Sequence, residues 1–268
     1  MLFLLPNLRG VEIPGTIMKH LAPQLDPNAT ILFGPEATAE NAREAIQKLN
    51  PPYVFTTGHG IPCATTLQNN QPFVTLAEPQ MNPQYCSENR NLDIWKGRVV
   101  HLHSCWCGRL LAPVLVQKYG AWAVFAHDDE FLFILPDDGK TITKDVAAPF
   151  LAEFTVDKVM LSGGTTGEAQ EGRMNAYDKW INYYLHGEGK ESDKAAILVR
   201  ILTADKMISK LYGDTTATVT RPRHVEAKLT LPLEAERGSS VSMALVFIPL
   251  AILALGGGHG TERHHGLD

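Results

Sequence analysis

Two short apolar runs in this chain end on residues that can do nucleophilic chemistry. Arg98-Val-Val-His-Leu-His-Ser-Cys-Trp-Cys-Gly108 stops being apolar at Ser104-Cys105, and Tyr53-Val-Phe-Thr-Thr57 stops at Gly58-His59-Gly60. The thiolate is the reactive form of cysteine, and a nearby imidazole lowers the thiol pKa or carries the proton to a leaving amine. His59 and Cys105 at neighbouring strand ends therefore suggest a cysteine-nucleophile hydrolase. Gly60 lets backbone approach a substrate closely, and its N–H together with that of Cys105 is a candidate oxyanion hole.

The same residue types support plainer readings. A single His after a strand is often structural, and a Cys flanked by apolar residues is often inert core. His101, His103, Cys105 and Cys107, with Cys63 close in sequence, are also potential zinc ligands. Against zinc, alternation along a strand puts His101, His103 and Cys105 on one face, and Cys-x-Cys lacks the usual spacer between metal-binding cysteines. Spacing alone leaves these alternatives open.

The elements around these residues read as α/β. Leu2 to Leu5, Thr30 to Phe33, Tyr53 to Thr57, Val99 to His103 and Ala121 to Ala126 are short apolar runs, as buried parallel strands require. Gly15 to Leu25 has helical spacing. The next helix starts at Thr38 as its cap, with Ala42, Ala45, Ile46 and Leu49 on one face. Gly108 to Tyr119 is a third helix. Strand, helix and strand in alternation imply right-handed βαβ units and a mostly parallel sheet between helices, a three-layer α/β/α sandwich. In such sheets ligands collect at the carboxyl ends of the strands, where His59 and Cys105 fall.

Ile61 to Lys96 is polar, proline-bearing and aperiodic, and reads as a substrate-binding or processing loop. Phe131 to Leu135 reads as a further extended run after the acidic corner at 127–130. Helices are expected over Val146 to Leu161, Thr166 to Leu185 and Asp193 to Leu211, with an edge strand at Thr216 to Thr220.

The totals narrow the function classes. A chain of 268 residues with 44 % hydrophobic and 20 % charged residues builds a real core. The formal charge of −5, with no basic stripe, argues against nucleic acid as a partner. Four cysteines (Cys63, Cys86, Cys105, Cys107) in a chain this long read as free thiols of a reducing compartment rather than a disulfide framework. The N-terminal apolar run lacks a basic leader and reads as a first strand. No residue from Gly238 to Gly258 is charged, and Val241 to Leu255 is strongly apolar. This stretch reads as a membrane anchor, about 20 residues being enough to span a bilayer. Residues 221–237 form its linker and 259–268 a polar tail. With Arg221, Arg223, Lys228 and Arg237 before the anchor against Arg263 after it, the main domain is expected to face the cytoplasm. The alternative is a soluble cytoplasmic protein.

Taken in order, several short motifs make residues 1 to 220 resemble the caspase-like cysteine peptidases, and within them the gingipain-like branch. The pairing of His59-Gly60 after one strand with Ser104-Cys105 after a hydrophobic block is its mark. Gly34-Pro-Glu-Ala-Thr-Ala-Glu-Asn41 looks like the entry to the helix before the His strand. Gly108 to Ala112 with Tyr119 to Ala123 resembles the helix and strand after the nucleophile. Gly163-Gly-Thr-Thr-Gly-Glu-Ala169 and Leu211-Tyr-Gly-Asp214 resemble the later helix start and the closing motif. The resemblance implies a caspase-like fold and a thiol endopeptidase acting on polypeptides without a cofactor, Cys105 as nucleophile and His59 as proton carrier. It places His103 at a substrate pocket. Asp128 or Asp129, ending the next strand, is a candidate pocket acid that would favour Arg or Lys before the cut. The acid that orients the histidine in some relatives has no evident counterpart, and Thr215 stands where a Pro is usual. The same fold would also serve as an inactive sensor or scaffold.

Overall fold

The computed structural model describes residues 1–219. The linker, apolar stretch and tail expected beyond them lie outside the described residues. Among the described residues no helix is long and apolar enough to cross a membrane.

Six strands form the central sheet, in the order β2 (Thr30–Phe33), β1 (Leu2–Leu5), β3 (Tyr53–Thr57), β7 (Val99–His103), β8 (Ala123–His127) and β9 (Ser209–Gly213). All neighbouring pairs are parallel except β8 with β9. Every residue of β1, β3, β7 and β8 is buried, which is why their sequences are apolar almost without alternation. The crossovers are α1 (Glu12–Leu25) between β1 and β2, α2 (Ala39–Leu49) between β2 and β3, and α3 (Leu111–Tyr119) between β7 and β8. Thr38 caps α2 as its sequence implies, its hydroxyl accepting from the Asn41 N–H at 3.2 Å.

One core lies between the sheet and α1, α4 (Lys144–Glu153), α5 (Thr155–Leu161), α6 (Thr166–His186) and α7 (Ala195–Ile208). The other lies on the opposite face, under α2, α3 and the 61–96 segment. The architecture is the expected α/β/α sandwich with a mostly parallel sheet.

Several local expectations fail. The 61–96 segment is built rather than loose: β4 (Gly60–Ile61), β5 (Ala64–Thr66) and β6 (Pro72–Thr75) form a small antiparallel sheet. Phe73, Leu92 and Trp95 bury themselves beneath the main sheet. Cys63 and Cys86 are joined by a disulfide with Cα atoms 6.2 Å apart, so the reading of all four cysteines as free thiols was wrong. A segment this poor in regular structure gains from a covalent closure what its few ladder bonds do not provide. The pairing also removes the compositional reason for a reducing compartment; Cys105 and Cys107 remain free.

The helix expected over 146–161 is interrupted at Phe154, which separates α4 from α5. The helix expected to reach Leu211 ends at Ile208, and the chain turns at once into β9. Helical spacing persists across 197–208, but β8 offers an open edge that 209–213 completes. The edge strand expected at 216–220 is therefore displaced to 209–213. Phe131 to Leu135 adds no strand to the sheet.

A buried charge network ties these layers together. Glu153, with no exposed surface, accepts from Arg173 Nη1 at 2.6 Å, His101 Nε2 at 3.0 Å, Tyr177 Oη at 2.8 Å and Ser209 Oγ at 3.0 Å. Asp157 accepts from Tyr53 Oη at 2.7 Å and stands 3.1 Å from His101 Nδ1. With a carboxylate on each ring nitrogen, His101 donates from both. Burial alone would lower its pKa, but Asp157 and Glu153 outweigh burial and hold it above the usual histidine value. Burial would likewise raise Glu153, but Arg173, His127 and His101 hold its carboxyl well below the usual range.

Two measurements follow from these ties. Glu153→Gln should destabilise the protein by about 3–5 kcal/mol, because Arg173 is left buried without its counter-charge. Since the Glu153 pKa is depressed on folding, its contribution is complete above its unfolded value of about 4.3 and is lost as pH falls below it. The wild-type melting temperature should therefore fall more steeply with acid than that of the variant; parallel profiles would refute this. Cys63→Ser should cost about 3 kcal/mol in chemical denaturation, the disulfide closing a separation of 23 residues.

Candidate active site

The register of β3 on β7 pairs Thr57 with His103. His59 and Cys105 each lie two residues beyond that pair, so parallel pairing brings them level at the carboxyl edge of the sheet. The Gly58 N–H donates to the His103 carbonyl at 3.3 Å, continuing the ladder one step past the strand. Side chains then hold the two ends together. Ser104 Oγ lies 2.9 Å from Thr65 Oγ1, and the Thr65 and Thr66 hydroxyls reach the His59 carbonyl at 3.5 and 3.3 Å.

Gly60 is pressed against the nucleophile turn. A Cβ there would collide with the Cys105 carbonyl oxygen and stand 2.8 Å from Ser104 Cβ and 2.9 Å from Cys107 Sγ. Only glycine leaves room for this approach. Trp106, directly after Cys105, adopts the left-handed conformation at φ 57°. That conformation costs a non-glycine residue on the order of 1 kcal/mol and persists only where its surroundings impose it. Asp129 imposes it here: its carbonyl accepts the Trp106 N–H at 3.2 Å, its Oδ1 accepts the indole Nε1–H at 2.8 Å, and its Oδ2 accepts Arg109 Nη2 at 2.9 Å. Asp128 accepts the Tyr212 hydroxyl at 2.5 Å, which with burial pushes that phenol up. Of the two acids expected at a substrate pocket, Asp129 is thus engaged in holding the nucleophile turn and Asp128 in bonding Tyr212 of β9.

His59 is partly buried, and its Nε2 lies 3.1 Å from the Arg9 carbonyl. A carbonyl only accepts, so Nε2 carries the hydrogen and Nδ1 keeps the lone pair that can take a proton. Burial lowers the pKa of the ring, with the Arg9 carbonyl and the Glu12 charge opposing it. The ring is neutral at neutral pH, as a general base must be. Glu12, first residue of α1, has a buried Oε2 without a hydrogen-bond partner. Its charge acts on the His59 ring without a hydrogen bond to it. The topology contains the reason, because β1 pairs with β3 and the start of α1 therefore adjoins the end of the His59 strand.

Cys105 is partly buried and packs against the core of α1 and α4 to α7. Burial pushes its thiol up to about 11, against the Phe131 backbone N–H that donates toward it; Glu130 and Asp205 push in the same direction as burial. No hydrogen bond joins Cys105 to His59. His103 faces the same core, its Nδ1 3.3 Å from Thr57 Oγ1 and its ring 4.6 Å from that of Phe131. Burial, then His127, holds its pKa well below the ordinary value.

Cys107 lies in the opposite core, its thiol donating to the Ala64 carbonyl at 3.5 Å and pushed up by burial. The cysteines and histidines weighed as zinc ligands are therefore divided: Cys63 is disulfide-bonded, and Cys107 is on the far face of β7 from His101 and His103. Among the described residues no three His, Cys, Asp or Glu side chains gather as a metal site.

Comparisons with known proteins give little beyond shape. No family model matches the chain, and no curated protein matches it. Among solved structures it is similar to the complex of Porphyromonas gingivalis RgpB pro- and mature domains, at 12% identity and TM-score 0.47, covering 82% of this chain and 48% of that one. It is also similar to the Arg-specific cysteine proteinase gingipain R (RgpB), at 11% identity and TM-score 0.42, covering 81% of this chain and 46% of that one. The chain spans about half the length of these structures.

Removing the Glu12 charge without changing its shape should lower the His59 pKa further. In Glu12→Gln the NMR titration midpoint of the His59 ring should move to lower pH than in wild type. An unchanged midpoint would exclude Glu12 from the site.

Proposed function

We propose that this protein is a cysteine peptidase acting through Cys105 and His59. The observation that carries this is the β3–β7 register, which brings the two residues level while Gly60 presses its backbone onto the nucleophile turn. The ordered motifs shared with caspase-like peptidases support the same reading.

In this mechanism His59 Nδ1 takes the thiol proton and Cys105 Sγ attacks the carbonyl carbon of a peptide bond. The carbonyl π electrons move to oxygen, and the Gly60 and Cys105 N–H groups stabilise that charge. Collapse breaks the C–N bond, and the leaving amine takes the proton from the imidazolium. Water, deprotonated by the same imidazole, then hydrolyses the thioester and returns the proton to the thiol. Glu12 acts on the imidazole rather than on substrate, which makes it a positioning residue. Asp129 positions Cys105 through the Trp106 turn.

One observation favours a second reading, an inactive scaffold on the same fold: the thiol is pushed up to about 11 and makes no hydrogen bond to His59. An acyloxymethyl-ketone probe separates the two. Labelling of the wild type that disappears in Cys105→Ala and falls at least about a hundredfold in His59→Ala supports the peptidase. Equal labelling of wild type and Cys105→Ala would overturn it.

A further inference from the structure

We propose that Thr65 is a positioning residue of the candidate site: its hydroxyl relays Ser104 to the His59 main chain and so fixes the nucleophile turn against the base and Gly60. The proposal deepens the reading of Cys105 and His59 as a peptidase pair and rests on it.

Main-chain pairing of β3 with β7 ends where the Gly58 N–H meets the His103 carbonyl. His59 and Cys105 lie beyond that last bond, and the imidazole spends its Nε2 on the Arg9 carbonyl. Their spacing therefore depends on side-chain ties between the two strand ends. Thr65 of β5 supplies such a tie. Its Oγ1 is 2.9 Å from Ser104 Oγ and 3.5 Å from the His59 carbonyl oxygen, and Thr65 and Ser104 are both buried.

Counting hydrogens fixes the direction of the relay. A hydroxyl has one hydrogen to donate, and a buried hydroxyl needs an acceptor for it. Among the described residues the only partner of Ser104 Oγ is Thr65 Oγ1. If Thr65 donated to Ser104, the Ser104 hydrogen would have nowhere to go. The opposite polarity uses both hydrogens: Ser104 donates to Thr65, and Thr65 donates to the His59 carbonyl. The Thr66 N–H, at 2.9 Å, and the Thr66 hydroxyl, at 3.3 Å, reach the same carbonyl. The residue before the nucleophile and the main chain of the base thus share one hydroxyl.

The hairpin of β4 and β5 brings in the third part of the site. The Thr66 N–H on the His59 carbonyl makes 59 and 66 a hydrogen-bonded pair of this antiparallel ladder. Bonded and non-bonded pairs alternate, so Gly60 and Thr65 form a non-bonded pair with close Cα atoms and N–H groups turned away from each other. The Gly60 N–H is therefore directed off the ladder, as an oxyanion donor must be. A Cβ on Gly60 would stand 2.8 Å from Ser104 Cβ, so the glycine and Thr65 close on the same serine. One buried side chain meets the base, the nucleophile turn and the oxyanion donor without reaching substrate.

The inactivation rate with the acyloxymethyl-ketone probe reads this alignment, because in the proposed mechanism it needs Cys105 and His59 together. Thr65→Val keeps the shape and removes the hydroxyl. It should slow labelling about tenfold or more, an ångström of misplacement being worth about a hundredfold. Thr65→Ser keeps the hydroxyl and should stay within about threefold of wild type. A role in packing alone predicts the reverse order, since serine loses the methyl that valine keeps. Ser104→Ala breaks the relay at its other end and should also lose about tenfold; in the double variant the losses should not multiply to about a hundredfold. A Thr65→Val protein that labels at the wild-type rate, a Thr65→Ser protein as slow as Thr65→Val, or losses that multiply would each overturn the proposal. Labelling of the wild type that still depends on Cys105 would then leave the peptidase reading standing. Equal labelling of wild type and Cys105→Ala defeats that reading instead, and the positioning role with it. Should Thr65→Val fail to fold by circular dichroism, Ser104→Ala decides alone, and a wild-type rate there sinks the relay.

Discussion

The structure depends on a carboxylate buried without access to water. Glu153 gathers His101 from β7, Arg173 and Tyr177 from α6 and Ser209 from the start of β9, and His127 of β8 stands 3.2 Å from its Oε1. An isolated carboxylate in such a place would be untenable. With Asp157 on the other side of His101, two carboxylates face an imidazolium and a guanidinium, so the charges balance. This arrangement fixes where α4, α5 and α6 sit on the sheet, because a shift of any of them would strand a charge.

The same network sets the floor of the candidate site. His101, His103 and Cys105 alternate onto one face of the β7 line. The first is locked in the ion network, the second is packed among aromatic rings, and the third is at the rim. The opposite face is secured differently, by the disulfide-closed module of β4, β5 and β6, which seats Gly60 on the nucleophile turn. The site lies where a rigid sheet edge and a pinned turn meet.

Much of the framework was readable from residue types. Unbroken apolar runs such as Leu2 to Leu5 and Val99 to His103 mark strands covered on both faces, and the Thr38 cap marks the start of α2. These signals are local, and local chemistry determines them. The misreadings share a cause. Residues 209–211 continue a helical pattern, yet they pair with β8 because an open sheet edge outweighs propensity. Phe131 to Leu135 has the composition of a strand, but no partner edge is left for it. The 61–96 segment has weak periodicity because its order comes from a disulfide and from Trp95 and Phe73 buried under another sheet.

By itself the sequence determined the α/β layering and the strand ends on which His59 and Cys105 fall. Each of these follows from hydrophobic pattern within a few residues. Only the tertiary structure decided that the Arg9 carbonyl meets His59 Nε2 and that Asp129 holds the Trp106 turn rather than standing free. It also joined Cys63 to Cys86 and separated Cys107 from Cys105 across the sheet. Such choices turn on which distant residues share a buried volume, and that is fixed by strand order and helix packing, which no local pattern encodes.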